Sequence, residues 1–205
     1  MRTEVAVLVP VKAFGLAKAR LAPVLGAEAR ADLARELATR VLAAAHDLPV
    51  TVACDDDDVA AWAVAAGAAV TWTAGLDLNG AVAAGVDALA GAGCRRVVVA
   101  HGDLPDARDL RALAGGSGVV AVPDRRDDGT NVLVVPTGAG FRFAYGPGSF
   151  ARHRAEAARL GLAFDVVRAA DLVRDVDDPA DLAPGDLEAR TGSDPGRPVA
   201  ADHDG

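Results

Sequence analysis

The chain has 205 residues, a formal net charge of −8, and 51% hydrophobic but only 4% aromatic residues. That length suits one sizeable α/β core, and the negative charge argues against a broad nucleic-acid footprint or an anionic membrane surface as partner. Cys54 and Cys94 are too few for a disulfide framework or a zinc site, which points to a reducing compartment.

Taken in order, strand and helix patterns alternate. Glu4 to Pro10 reads as the first strand and Val11 to Pro23 as a loop. The apolar run from Val5 to Val11 is far shorter than a membrane span and follows no charged leader, so a cytoplasmic location is expected. Leu33, Leu37, Val41, Ala44 and Leu48 recur at helical spacing and predict a covering helix over Ala27 to Leu48. A strand at Val50 to Ala53, a helix at Val59 to Ala66, a strand at Val70 to Thr73 and a helix at Leu78 to Ala92 follow. Asp55 to Asp58 reads as the acidic first turn of the helix from Val59. Val97 to Val99 is an unbroken β-branched run, as in a central strand covered on both faces, and Gly102 with Pro105 stops it. Beyond it come a brief helix at Asp109 to Ala114, strands at Val119 to Val122 and Asn131 to Val135, a helix at Ser149 to Leu160 closed by Gly161, and a strand at Phe164 to Val167. The alternation predicts an α/β fold, a single Rossmann-like domain over residues 1–185 with a mostly parallel sheet. Residues 186–205 are poor in apolar side chains and read as a disordered tail.

Five stretches carry candidate chemistry. Asp103 follows the valine strand at its carboxyl end, where open α/β sheets bind ligands, and a carboxylate there can hold a divalent cation against a phosphate. Of 21 basic residues only Lys12 and Lys18 are lysines, and both lie in the first loop. Either two exposed lysines fell there by chance, or compact ammonium groups are placed for a polyphosphate, with Arg20 as a third contact. Neither G-x-G-x-x-G nor the P-loop pattern is present, which removes the main support for a dehydrogenase or a P-loop NTPase. In Asp175-Val176-Asp177-Asp178-Pro179, extended backbone puts Asp175 and Asp177 on one face and turns Val176 inward. The pair suits a cation, while Asp177 or Asp178 before Pro179 also suits a helix N-cap. Finally, Gly129-Thr130-Asn131 and Tyr145-Gly146-Pro147-Gly148-Ser149 offer hydroxyls and a helix start whose free amides would take an anion, or else an ordinary turn with Ser149 as the cap. His101 and His153 receive no chemical role.

Taken together, Val9-Pro10-Val11-Lys12, Ala17-Lys18-Ala19-Arg20-Leu21, Gly102-Asp103-Leu104-Pro105, Gly129-Thr130-Asn131, Tyr145 to Phe150 with His153, and Asp175 to Leu182 resemble one family over residues 1 to 183. It is the phosphoenolpyruvate or 2-phospho-L-lactate guanylyltransferases of coenzyme F-420 biosynthesis. The resemblance implies a fold like the nucleotide-diphosphate-sugar transferases (GT-A-like). It also implies GTP as substrate, magnesium as cofactor, with two ions expected, and a small phosphorylated three-carbon acid as acceptor. Carried over, Asp103, Asp175 and Asp177 match the metal ligands, and Thr130, Gly146 and Ser149 match the residues that bind phosphoenolpyruvate. Asp178 stands where a Thr is usual.

The expected reaction is attack by a phosphate oxygen of the acid on the α-phosphorus of GTP. Asp103, Lys12 and Lys18 are the catalytic candidates, and Lys12, Lys18, Arg20 and Asn79 the nucleotide contacts, Asn79 from its place at the start of the Leu78 helix. The Arg- and Ala-heavy composition suggests a GC-rich bacterial genome, where the resemblance points to phosphoenolpyruvate. 2-Phospho-L-lactate and 3-phosphoglycerate are the alternative acids, with hand-off of the product to a downstream transferase. A nucleotidyltransferase acting on a sugar phosphate or molybdopterin shares this fold and metal chemistry, and a non-catalytic GTP-binding regulator is the rival of a different class.

Overall fold

The valine-rich segments pair into one seven-stranded sheet in the computed structural model, which describes residues 4–182; the expected tail from residue 186 lies outside the described residues. In chain order the elements are β1 (Val5–Pro10), α1 (Ala27–Ala43), β2 (Val50–Cys54), α2 (Asp57–Ala65), β3 (Ala69–Trp72), α3 (Leu78–Gly91), β4 (Arg96–Ala100), β5 (Val119–Pro123), β6 (Thr130–Pro136), α4 (Ser149–Arg159) and β7 (Phe164–Val166). The strand order is β3-β2-β1-β4-β6-β5-β7. β1 pairs in parallel with β2 and β4, β2 with β3, and β5 with β7, whereas β6 is antiparallel to both β4 and β5. One edge of the sheet therefore gathers the carboxyl ends of six strands and the amino end of β6. This reversal sets Thr130 and Asn131 beside the segment leaving β4, where the His101 amide donates to the Asn131 carbonyl at 3.0 Å.

Period-two alternation explains how both faces are covered. Val7, Val9 and Val98 join the cluster that holds Val41 of α1 and Val59 of α2, while Leu8, Val97 and Val99 face Val82 and Val86 of α3. Each of these buried Val and Leu side chains contributes about 1.5–3 kcal/mol relative to exposure. The approach of α3 requires Gly85, because a Cβ there would stand 2.7 Å from Leu8 Cδ1. At the other end, Phe150 and Ala157 of α4 cover Val119, Ala121, Leu133 and Val135.

Several expected boundaries move. α1 ends at Ala43 and not at Leu48, because the Ala44 carbonyl is taken by the Leu110 amide at 2.9 Å and His46 adopts φ 54°, which turns the chain out of the helix. The first loop is not plain coil but holds two 3₁₀ turns, Phe14–Leu16 and Ala19–Leu21, and the helix expected at Asp109 to Ala114 is a single 3₁₀ turn, Arg111–Leu113. Asp56 caps α2 by accepting from the Val59 amide at 3.0 Å, with Asp57 and Asp58 in the first turn. Cys54 and Cys94 are both buried. Among the described residues no helix is long and apolar enough to cross a membrane.

Candidate active site

β1 and β4 are neighbours whose following segments diverge, so a crevice opens between their carboxyl ends, the topological switch point of an open α/β sheet. Asp103 stands there, just past β4. Lys18 reaches it from the first loop, with Nζ 2.8 Å from Oδ2 and a side chain only 8% exposed. Lys18 holds φ 55°, a left-handed conformation that a lysine adopts only at a cost, and the ion pair accompanies that geometry. Burial by itself would raise the Asp103 carboxyl, but the Lys18 ammonium and the nearby His101 hold it below the usual carboxylate range.

The second acidic segment is brought alongside by the backbone. The Val176 amide donates to the Asp103 carbonyl at 3.1 Å, and the Val176 side chain is buried among Leu21, Leu25, Leu33 and Leu37. With Val176 inward, Asp175 and Asp177 both face the cavity beside Asp103. Burial first, and then the charge of Asp103, push the Asp175 carboxyl above its ordinary value. Asp177 pairs with Arg20. Asp178 occupies the N-cap position of the 3₁₀ turn Pro179–Asp181, as one reading of the motif expected. The turn is braced by Asp181, whose Oδ2 accepts from the Asp177 amide at 2.9 Å and the Asp178 amide at 2.8 Å, and which pairs with Arg125.

Asp103 Oδ1 is buried and has no hydrogen-bond partner among the described residues. An orphaned carboxylate oxygen beside carboxylates that repel one another is the donor set a hard divalent cation takes, so these residues fit magnesium. As they stand, no group of three or more His, Cys, Asp or Glu among the described residues is gathered to hold a metal ion; Lys18 and Arg20 lie against Asp103 and Asp177.

Cavities lie on either side of Asp103. One, of about 420 Å³, is lined by Arg20, Asp175, Asp177, Thr130, Gly146 and Ser149, so the topology brings together six residues spread over the chain. On the other side, Lys12 and Lys18 line a space of about 270 Å³, and Lys12 also lines an adjoining one of about 280 Å³ with Leu16, Asp55, Thr73, Leu76 and Asp77. His101 and Asp103 belong to the walls of both the larger cavity and the first lysine-lined space.

The start of α4 differs from expectation. Gly148, at φ 72°, is the N-cap, and Ser149 is the first helical residue, fully covered. The Ser149 amide donates to the Gly146 carbonyl at 3.0 Å and the Phe150 amide to the Asp128 carbonyl at 3.1 Å, so these first-turn donors are already paired. What faces the cavity is a pair of hydroxyls, with Ser149 Oγ donating to Thr130 Oγ1 at 3.2 Å. Gly146 takes φ 110°, which favours glycine over other residues. Asn79 uses its side-chain oxygen to accept from the Tyr145 amide at 2.6 Å, tying this loop to the start of α3.

Sequence reasoning passed over Asp124, Arg125 and Arg126, which line the larger cavity. Asp124 Oδ1 accepts from the amides of Arg126 and Asp128 and so shapes the turn before Thr130. The adjacent arginines between two apolar strands were the available signal. His153, fully buried beneath Thr130, appeared within the family motif but received no role.

The match to the family model described as "Guanylyl transferase CofC like" spans residues 5–187. The chain belongs to the CofC-like guanylyl transferase family. Among its relatives, the phosphoenolpyruvate guanylyltransferase of Roseiflexus castenholzii is 39% identical over 181 residues, covering 85% of this chain and 84% of that protein. The protein of the same name from Sphaerobacter thermophilus is 34% identical, covering 88% and 91%. The 2-phospho-L-lactate guanylyltransferase of Halorubrum lacusprofundi is 36% identical, covering 88% and 83%. A solved structure from Desulfovibrio desulfuricans G20, provisionally described as a nucleotide-diphospho-sugar transferase, aligns with a TM-score of 0.71 at 19% identity, covering 86% of this chain and 83% of that one. A CMP:2-keto-3-deoxy-manno-octonic acid synthetase aligns at 0.58 and 13% identity, covering 86% and 94%; these likenesses establish the nucleotidyltransferase type of fold.

Proposed function

We propose that this guanylyltransferase moves GMP from GTP onto the phosphate of phosphoenolpyruvate and releases pyrophosphate. The observation that carries the reading is the pair of cavities meeting at Asp103, one lined by the chain's lysines and the other by hydroxyls and arginines. The names of the relatives support the acid, with 2-phospho-L-lactate as the alternative.

A phosphate monoester has a second pKa of about 6, so its oxygen is already an anion near neutral pH and no general base is required. That oxygen forms a new bond to the α-phosphorus of GTP while the bond from the α-phosphorus to the oxygen bridging to the β-phosphorus breaks. The electron pair leaves with pyrophosphate, and the product is a mixed diphosphate. Catalysis reduces to alignment and charge neutralisation. In this reading Lys12 and Lys18 hold the β- and γ-phosphates and Arg20 adds a cation on the acid's side. Thr130, Gly146 and Ser149 orient the acid, and the guanosine lies toward Leu16 and Leu76, two apolar side chains 78% and 47% exposed at the cavity rim. Asn79 holds, through the Tyr145 amide, the loop that brings Gly146 to the acid's cavity. Asp103, Asp175 and Asp177 would hold one or two magnesium ions, which supply charge neutralisation at the phosphates when bound. The reaction takes place in the cytoplasm, and because a mixed diphosphate is an activated donor, the product passes to a transferase.

The test is pyrophosphate release from GTP and magnesium with phosphoenolpyruvate, 2-phospho-L-lactate and 3-phosphoglycerate in turn, repeated with the downstream transferase and its acceptor present. Turnover with phosphoenolpyruvate is expected. Preference for another acid would keep the reaction and change the substrate, and GTP binding without turnover on any of them would favour a non-catalytic regulator.

A further inference from the structure

The buried imidazole under the acid's cavity has its proton assigned by its neighbours. The Ala144 backbone N–H, which can only donate, lies 3.1 Å from His153 Nε2. Nε2 therefore carries the lone pair, and in a neutral ring the single proton sits on Nδ1. Nδ1 is 3.0 Å from Thr130 Oγ1 and so donates to it. Ser149 Oγ donates to the same atom at 3.2 Å. A hydroxyl has two lone pairs and one proton, and both lone pairs of Thr130 are now taken. Only its O–H remains to be used, at a residue that lines the cavity. The opposite tautomer would accept the Thr130 proton and present a lone pair to an anion. His153 is 0% exposed, and burial lowers its pKa to about 4, so the ring is neutral near pH 7.

We propose that His153 is a positioning residue for the acceptor acid: its Nδ1–H tautomer, set by the Ala144 amide, fixes the Thr130 hydroxyl as a hydrogen-bond donor to the anion in this cavity. The inference rests on the reading that the cavity takes the phosphorylated acid. The same ring also anchors the loop that carries Gly146, since the amide of Ala144 is bound by His153 and that of Tyr145 by Asn79.

Two replacements separate the ring's two bonds. In His153→Gln the longer side chain still reaches the Ala144 amide with its oxygen and gives up the bond to Thr130. In His153→Asn the shorter side chain offers an N–H near the Nδ1 position and gives up Ala144. Steady-state pyrophosphate release should show KM for phosphoenolpyruvate raised about tenfold in His153→Gln, the effect of about one hydrogen bond to a charged ligand, with KM for GTP unchanged. His153→Asn should keep KM for the acid near wild type while unfolding at a lower temperature. In a Thr130→Val background the His153→Gln effect on KM should vanish, because the histidine acts through that hydroxyl. An unchanged KM in His153→Gln, or the same increase in the Thr130→Val background, would overturn the inference and leave the proposed function standing. Imidazole 15N shifts of the wild type, assigned against His153→Asn, should show Nδ1 protonated; a protonated Nε2 would also overturn it. A wild type inert with all three acids would overturn both the proposed function and this inference.

Discussion

The two sides of Asp103 are built on different principles. On the lysine side the walls are the ends of β1 and β2 with Asp55, Thr73 and Asp77, apolar side chains left open to solvent at the rim, Lys18 paired to Asp103, and Lys12, which is exposed and has no ion-pair partner among the described residues. On the hydroxyl side an exposed rim of Arg20, Arg125, Arg126 and Asp128 surrounds a floor that is buried and already bonded: Thr130 to His153 and Ser149, Asn131 to the Leu172 carbonyl, and Asp181 to two amides and Arg125. An open wall can close on a large, flexible nucleotide, and the binding energy is realised only then. A pre-bonded wall loses little entropy on binding and can reject an acid whose charges are misplaced. The contrast predicts that variants on the two sides fail in different ways.

The largest effect is expected at the boundary itself. Asp103→Asn should fold and bind GTP yet lose turnover by about a hundredfold or more, since it removes charge from the carboxylate proposed to hold the metal at the reacting phosphates; near-wild-type pyrophosphate release would separate Asp103 from the chemistry. Next come the lysines, which should differ. Lys18→Met leaves the Asp103 carboxylate partly buried without its partner and should cost about 3 kcal/mol of stability in denaturant unfolding as well as activity. Lys12→Met should leave stability within about 0.5 kcal/mol while raising KM for GTP. Equal destabilisation by the two would erase the distinction drawn between them.

Acid should act on the pre-bonded side. The His153 pKa of about 4 in the folded protein lies below its ordinary 6.5. Between those values the unfolded chain takes up a proton that the native state refuses. This contribution is fully present above pH 6.5 and is lost as pH falls toward 4. Between pH 7 and 5 it amounts to on the order of 2 kcal/mol, and it should be absent from the unfolding curves of His153→Asn. The smallest effect belongs to the open rim. Leu76→Ala should raise KM for GTP about threefold and leave KM for the acid alone, since a half-exposed side chain has little apolar contact to lose.

Much of the fold was legible because strand and helix signals alternate cleanly. Each expected strand is present within one or two residues, and Asp103, Asp175 and Asp177 do face a common cavity, since a valine between two aspartates settles which side chains turn outward. The reversal of β6 was not legible, because a run such as Val132 to Val135, buried on both faces, reads the same in either chain direction. Yet that reversal is what carries Thr130 to the active edge. Long-range pairings were equally silent. The Phe150 amide looked free until the Asp128 carbonyl was seen to accept it, Asn79 gave no sign that its oxygen accepts from the Tyr145 amide, and Lys18 gave no sign that its partner lies 85 residues away. The role of His153 stayed open for a simpler reason: a single histidine in a helix carries no local pattern, and its meaning depends on which N–H folds against it.

The most direct test of the division at Asp103 is to measure KM for GTP and for phosphoenolpyruvate in one pyrophosphate-release assay, for Lys12→Met and for Thr130→Val. The account predicts a crossed result, with Lys12→Met raising only the GTP value and Thr130→Val only that of the acid, each by about tenfold. If each variant raised both values equally, the two cavities would be one undivided site and the account would be contradicted.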